Sequence, residues 1–134
     1  MSFFSGVTNE QLTDVEVLAG LDQAAIDKVK ECAHFIGAHP GLHIVRREDT
    51  GFEIYIILSG TADVIRDGDV VASLGKGDIF GEMSILGSTR RNADVVATSV
   101  MSLLSMSGAE FRRLVADHPE IERRIRSLAE ERLS

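Results

Sequence analysis

Phe80-Gly81-Glu82-Met83-Ser84-Ile85-Leu86-Gly87-Ser88-Thr89-Arg90-Arg91-Asn92-Ala93-Asp94-Val95 places a glycine, a carboxylate and two arginines in one short, helix-prone run. Gly81 lets the backbone turn and come close to a ligand, and the residues after it can begin a helical turn whose unpaired N–H groups favour a phosphate. Arg91 presents a planar fork of donors to two phosphate oxygens. Glu82 accepts hydrogen bonds from neutral hydroxyls and would repel a phosphate aimed at it. An anion cradle with one carboxylate beside it points to a sugar phosphate as the ligand class.

On either side of this run the chain reads as helix, then a long strand-rich middle, then helix. Thr8 with Gln11 has the spacing of a capping box. Ile26, Val29 and Ala33 share one face, which predicts a helix from about Asp22 to Ala33, stopped by Gly37 and Pro40-Gly41. Between Leu42 and Met106 short β-rich segments alternate with turn signals, the clearest strands being Phe52 to Ser59, Ala62 to Arg66 and Val70 to Leu74. Asp67-Gly68 predicts a tight primed hairpin turn, and Gly75-Lys76-Gly77-Asp78 marks the next reversal. Many short strands with Gly-rich turns are the pattern of a jelly roll or barrel. Ser107 and Glu110 form a second capping box before an apolar face of Phe111, Leu114 and Val115, with the helix ending near His118-Pro119. Pro119 suits the first position of a last helix, in which Ile121, Ile125 and Leu128 make one narrow apolar stripe. That stripe either packs on the barrel or serves as a movable lid or dimer seam. The arginines around it are expected to be solvated, each within reach of a glutamate one turn away.

Length and charge limit the alternatives. The chain has 134 residues, a formal net charge of -7 and a pI near 5.0, so one domain is expected, without the basic footprint of a DNA-binding or membrane-surface protein. Any anion must be caught locally. The single cysteine, Cys32, excludes an internal disulfide and sits in an apolar helical pattern as a small core residue. The N-terminus lacks a basic, apolar signal sequence. The longest uninterrupted apolar stretch, Ile54 to Leu58, is far short of the roughly 18 residues of a bilayer helix, and a soluble cytoplasmic protein is expected.

The Phe80–Leu86 run, four variable positions, then Arg91-x-Ala93-x-Val95 resembles the phosphate-binding cassette of cyclic nucleotide-binding domains. Phe52 to Gly60 is similar to the family's strand leading into a glycine turn, and Leu74 to Glu82 to its approach to the cassette. The resemblance runs from about Leu18 to Leu133. It implies a mainly β, α+β fold: an eight-stranded antiparallel jelly-roll β-barrel with N-terminal helices, a short cassette helix and two C-terminal helices. On this reading residues 1–134 form a single domain, with 1–12 an N-terminal extension and 107–134 the lid or hinge helices.

By resemblance, Arg91 binds the cyclic phosphate, Glu82 the ribose 2′-OH, and the backbone of Gly81, Ser84 and Asn92 the sugar or phosphate oxygens, with Met83 and Ala93 also at the ligand. Arg90 falls where many relatives carry proline and is assigned to the rim. The chain departs from the family pattern at Asn92, where relatives often have alanine, serine or threonine, and at Asp94, often threonine. A hydroxyl after the arginine is associated with guanine preference in the family. Asn92 fits neither class and leaves the base open; cyclic AMP is favoured as the commoner bacterial-type ligand that the resemblance implies, with cyclic GMP as the alternative. Asp94 is expected to alternate outward on its strand.

The expected function is a non-enzymatic sensor, with no cofactor, that passes binding of a cyclic nucleotide to a protein effector or a second copy. No effector segment is expected beyond the last helix of the resemblance. Two other classes compete: a jelly-roll interaction module without nucleotide binding, and a metal-dependent cupin using His34, His39 and His43. The histidine spacing opposes the latter, because His39 and His43 flank a Pro-Gly turn instead of alternating on one strand. The sequence also lacks a nucleophile elbow and a Walker loop.

Overall fold

The strand Glu53–Ser59 (β3) is buried along all its inner residues, and its alternation divides two cores. Ile54, Ile56 and Leu58 belong to one buried cluster, Tyr55 and Ile57 to the other. Such two-sided burial requires a cover on each face of the sheet, and helices and a second sheet supply them. The computed structural model describes residues 9–46, 53–81 and 93–133, with side chains over 11–46, 53–81 and 93–127.

The other strands are β1 (His34–Ala38), β2 (His43–Val45), β4 (Ala62–Arg66), β5 (Asp69–Leu74), β6 (Ile79–Phe80), β7 (Asp94–Ala97) and β8 (Met101–Ser107). They pair antiparallel in two four-stranded sheets, β1-β8-β3-β6 and β2-β7-β4-β5. This is the expected jelly roll, realised as two facing sheets. From β1 to β8 the chain crosses between the sheets after every strand but β4, which a hairpin joins to β5 in the same sheet, and the second cluster, with Ile57, Leu74, Phe80, Val95 and Leu103, fills the interior.

The crossovers are tightly built. After β3, Gly60 has φ +94°, and a Cβ there would meet the Val100 carbonyl oxygen at 2.4 Å. Only glycine fits so close an approach. The β4–β5 hairpin turns through Asp67 (φ 54°) and Gly68 (φ 83°), the two positive φ values of a type I′ turn, as predicted. The β5–β6 turn carries the chain across to the first sheet. The Gly75 N–H donates to Asp78 Oδ2 at 2.8 Å and the Asp78 N–H to the Gly75 carbonyl at 3.0 Å. Lys76 pairs with Asp14, tying that turn to the N-terminal segment.

The helices form a layer on the outer face of the first sheet. They are α1 (Asn9–Thr13), a 3₁₀ turn (Glu16–Leu18), α2 (Gln23–Cys32), α3 (Gly108–Asp117) and α4 (Pro119–Leu133). Asp22 and Ala33, predicted as the ends of a helix, are the caps of α2, and the Asp22 carboxylate accepts the Ala25 N–H at 2.9 Å. Ser107 and Glu110 make the predicted capping box of α3. Cys32 is fully buried, as expected of a core residue. The stripe of α4 packs on the helical layer: Ile121 and Ile125 share a cluster with Leu12, Val15, Val17 and Leu18. One arginine departs from expectation. Arg124 donates from one guanidinium nitrogen to the carbonyls of Val17 (3.0 Å) and Ala19 (2.6 Å), closing the end of the 3₁₀ turn. Arg126 behaves as predicted, bonding Glu122 one turn away. The cassette helix, Thr8 of the first capping box and Phe52 lie outside the described residues, as does the Leu128 side chain.

Candidate functional site

The anion-cradle stretch is framed by two anchors in opposite sheets. On one side β6 ends at Phe80, buried and paired to Tyr55 across the ladder, and Gly81 follows with φ 83°. That positive φ is the turn for which the sequence reading required a glycine. On the other side Ala93 is buried and leads into β7, where Val95 lies between Val45 of β2 and Val64 of β4. Phe80 and Val95 belong to the same interior cluster, so both ends of the intervening segment are fixed to one packed core. Of the predicted ligand residues, the structure places Gly81 and Ala93 at these two ends. Glu82, Met83, Ser84, Arg91 and Asn92, with the rim residue Arg90, lie outside the described residues.

Asp94 stands on the face of β7 opposite the buried Val95 and Ala97, as the strand alternation required. Its carboxylate is 3.7 Å from His43 Nδ1, a buried atom with no hydrogen-bond partner among the described residues.

The other histidines are dispersed. His34 on β1 bonds Glu110 at 2.8 Å, and the His39 ring meets the Pro40 carbonyl at 3.0 Å. Among the described residues no three His, Cys, Asp or Glu side chains group as metal ligands. Burial pushes the Glu110 carboxyl up. The Ser107 N–H, His34 and the Ser107 hydroxyl outweigh it and hold the group below its usual value.

One group near the cassette was not singled out from the sequence. Tyr55 and Phe80 stack with ring centroids 4.9 Å apart and an interplanar angle of 18°. The Tyr55 hydroxyl donates to Glu53 Oε2 at 3.0 Å, and Ser105 Oγ donates to the same oxygen at 3.2 Å. Glu53 and Tyr55 are two apart on one strand and therefore share a face, a signal available in the sequence. Ser105 joins them only through the β3–β8 register, which pairs it with Tyr55.

The family model described as the cyclic nucleotide-binding domain matches residues 38–118, which hold both anchors and everything between them. This chain belongs to the cyclic nucleotide-binding domain family. A cyclic nucleotide-binding domain of this kind is similar to the cAMP-dependent protein kinase regulatory subunit of Schizosaccharomyces pombe, at 32% identity over 113 residues, 84% of this chain and 27% of that protein. The chain thus spans about a quarter of the length of the curated relatives it matches. Its fold is similar to the catabolite activator protein of Thermus thermophilus, with TM-score 0.77, 27% identity and coverage of 87% and 57% of the two chains. It is equally similar to the regulatory subunit of a cAMP-independent protein kinase A from Trypanosoma brucei, with TM-score 0.77, 29% identity and coverage of 88% and 43%. No helix among the described residues is long and apolar enough to cross a membrane.

Proposed function

We propose that this domain is a sensor that binds a 3′,5′-cyclic nucleotide, cyclic AMP in preference to cyclic GMP, in the segment between Gly81 and Ala93. The observation that carries the reading is that this segment lies inside the family match and is held at both ends by one buried core. In this reading Arg91 neutralises the cyclic phosphate and Glu82 takes the ribose 2′-OH. Backbone groups of Gly81, Ser84 and Asn92 bind the remaining oxygens, and Met83 and Ala93 line the ligand. A cyclic phosphodiester carries one negative charge, which a single bidentate guanidinium can match without leaving a buried surplus, whereas lysine offers only a point charge.

Calorimetry with cyclic AMP, cyclic GMP and non-cyclic AMP tests the assignment. Cyclic AMP should bind most tightly. Arg91→Ala should weaken it by roughly 30- to 4,000-fold, equivalent to about 2–5 kcal/mol, and Arg91→Lys should recover only part of that loss. Unchanged affinity in both variants would remove Arg91 from the site.

The signal is proposed to leave through α3 and α4 toward a protein effector or a second copy, by a change in the pose of these helices. Hydrogen exchange across both helices, with and without cyclic AMP, tests the relay, and identical profiles at saturating ligand would sink it. Truncation after Val115 is a poor substitute, because it removes Ile121 and Ile125 from the core.

A second reading has a specific observation in its favour. The Trypanosoma brucei relative shares this fold to TM-score 0.77 and is described as cAMP-independent. An interaction module that does not respond to cyclic AMP would give no heat with that nucleotide in the same experiment.

A further inference from the structure

Resting on the reading that the ligand sits between Gly81 and Ala93, we infer that Tyr55 is a positioning residue for the start of that segment and that Glu53 is its anchor. Strand β6 is two residues long and at the edge of its sheet, and its register with β3 consists of two pairs, Tyr55 with Phe80 and Ile56 with Ile79. The backbone bonds that continue this pairing, between Ile57 and residues Gly77 and Asp78, all lie before Phe80 in the chain, so the ladder ends at Phe80, immediately before Gly81. The stack of Tyr55 on Phe80, with centroids 4.9 Å apart, orients the last ring of that ladder within the interior cluster.

The phenol is itself held. Its hydroxyl donates to Glu53 Oε2 at 3.0 Å, and that oxygen also receives the Ser105 hydroxyl at 3.2 Å. Ser105 is the one buried polar residue among the described residues, at 7% exposure. A buried hydroxyl is costly unless bonded, and here it is used to immobilise the carboxylate that immobilises Tyr55. The chain Ser105, Glu53, Tyr55, Phe80 therefore ends on the residue immediately before Gly81. A site that binds through backbone N–H groups depends on where that backbone starts, because a small displacement weakens every bond in the cradle together.

The test uses the whole chain and the variants Tyr55→Leu, Tyr55→Phe and Glu53→Ala. Amide exchange is followed by NMR at Phe80 and Gly81 and referred to a core amide such as Leu104, so that a general loss of stability cancels. Affinity for cyclic AMP is measured alongside. Tyr55→Leu, which loses both stack and anchor, should speed exchange at Phe80 and Gly81 selectively and weaken cyclic AMP by about 3- to 10-fold, the factor that one aromatic stack is worth. Tyr55→Phe and Glu53→Ala keep the ring and should fall between it and the parent. Selective exchange unchanged in all three overturns the inference, as does weakened binding without that change. If Tyr55→Leu does not fold, the other two variants decide on the same criteria. If the parent chain binds neither cyclic AMP nor cyclic GMP, the ligand reading fails, and the exchange comparison still decides the positioning role.

Discussion

A methyl group at position 60 would sit 2.4 Å from the Val100 carbonyl oxygen and 2.8 Å from Met101 Cα, on a backbone with φ +94°. The neighbours are main chain and cannot rotate away, so both the steric and the conformational penalties apply. Gly60→Ala is expected to lower the unfolding free energy by about 2–4 kcal/mol in urea titrations. A loss below about 1 kcal/mol would show that the β3–β4 crossover relaxes more easily than its packing implies. Gly68, also at positive φ, has open space where a Cβ would go. The two glycines look alike in the sequence, since each follows a strand. What separates them is the approach of residues 100 and 101 from elsewhere in the chain. Asp94 shows the opposite situation: strand alternation alone placed it on the outer face, and the structure agrees. Its partner His43 was not readable, because the two meet only through the β2–β7 pairing.

At the scale of elements, the start of α3 joins a helix cap to a strand. Glu110 Oε1 accepts the Ser107 N–H at 2.8 Å, while Oε2 meets His34 of β1 at the same distance. The capping box was legible from Ser107 and Glu110 three residues apart, but the bond to β1 spans 76 residues of sequence and needed the fold. Because the folded carboxyl titrates below the ordinary glutamate value of 4.5, its contribution to stability is fully present above that pH. It is lost as pH falls through the lower folded value. Glu110→Gln should therefore flatten the acid limb of a stability-against-pH curve below about pH 4.5 and leave its neutral region less stable. Parallel acid limbs in the two proteins would contradict the assignment. Arg124 carries a similar lesson. Its i,i+4 neighbours predicted a solvated side chain, whereas the carbonyls of Val17 and Ala19 arrive from the N-terminal segment and claim it. Charge pattern along one helix reports on that helix alone.

For the molecule as a whole, the division into two cores decides how damage spreads. The helical layer and the outer face of the first sheet share one cluster, and the facing sheets enclose the other, which holds both anchors of the candidate site. Ile121 on α4 is fully buried in the first cluster, so Ile121→Ala should cost about 2–5 kcal/mol in unfolding free energy. In a sample still folded, it should leave exchange at Phe80 and Gly81 unchanged relative to Leu103, which lies in the interior cluster and not in the one that holds Ile121. A selective change there would show that the two cores are mechanically coupled. The type I′ hairpin and the caps of α2 and α3 rest on interactions between residues within a few positions of one another, and the sequence by itself determined them. Such features depend on backbone sterics, on local hydrogen bonds and on the period of apolar residues. By contrast, β1 (His34–Ala38) precedes the Leu42 at which the pattern starts the strands, and forms by pairing with β8. The close packing at Gly60, the two carbonyls bound by Arg124, the docking of α4 on the N-terminal helices, and the Ser105–Glu53–Tyr55 support beside Phe80 were decided only by tertiary structure. Each joins groups from distant parts of the chain, and strand register and layer packing, which no local pattern encodes, bring them within bonding distance.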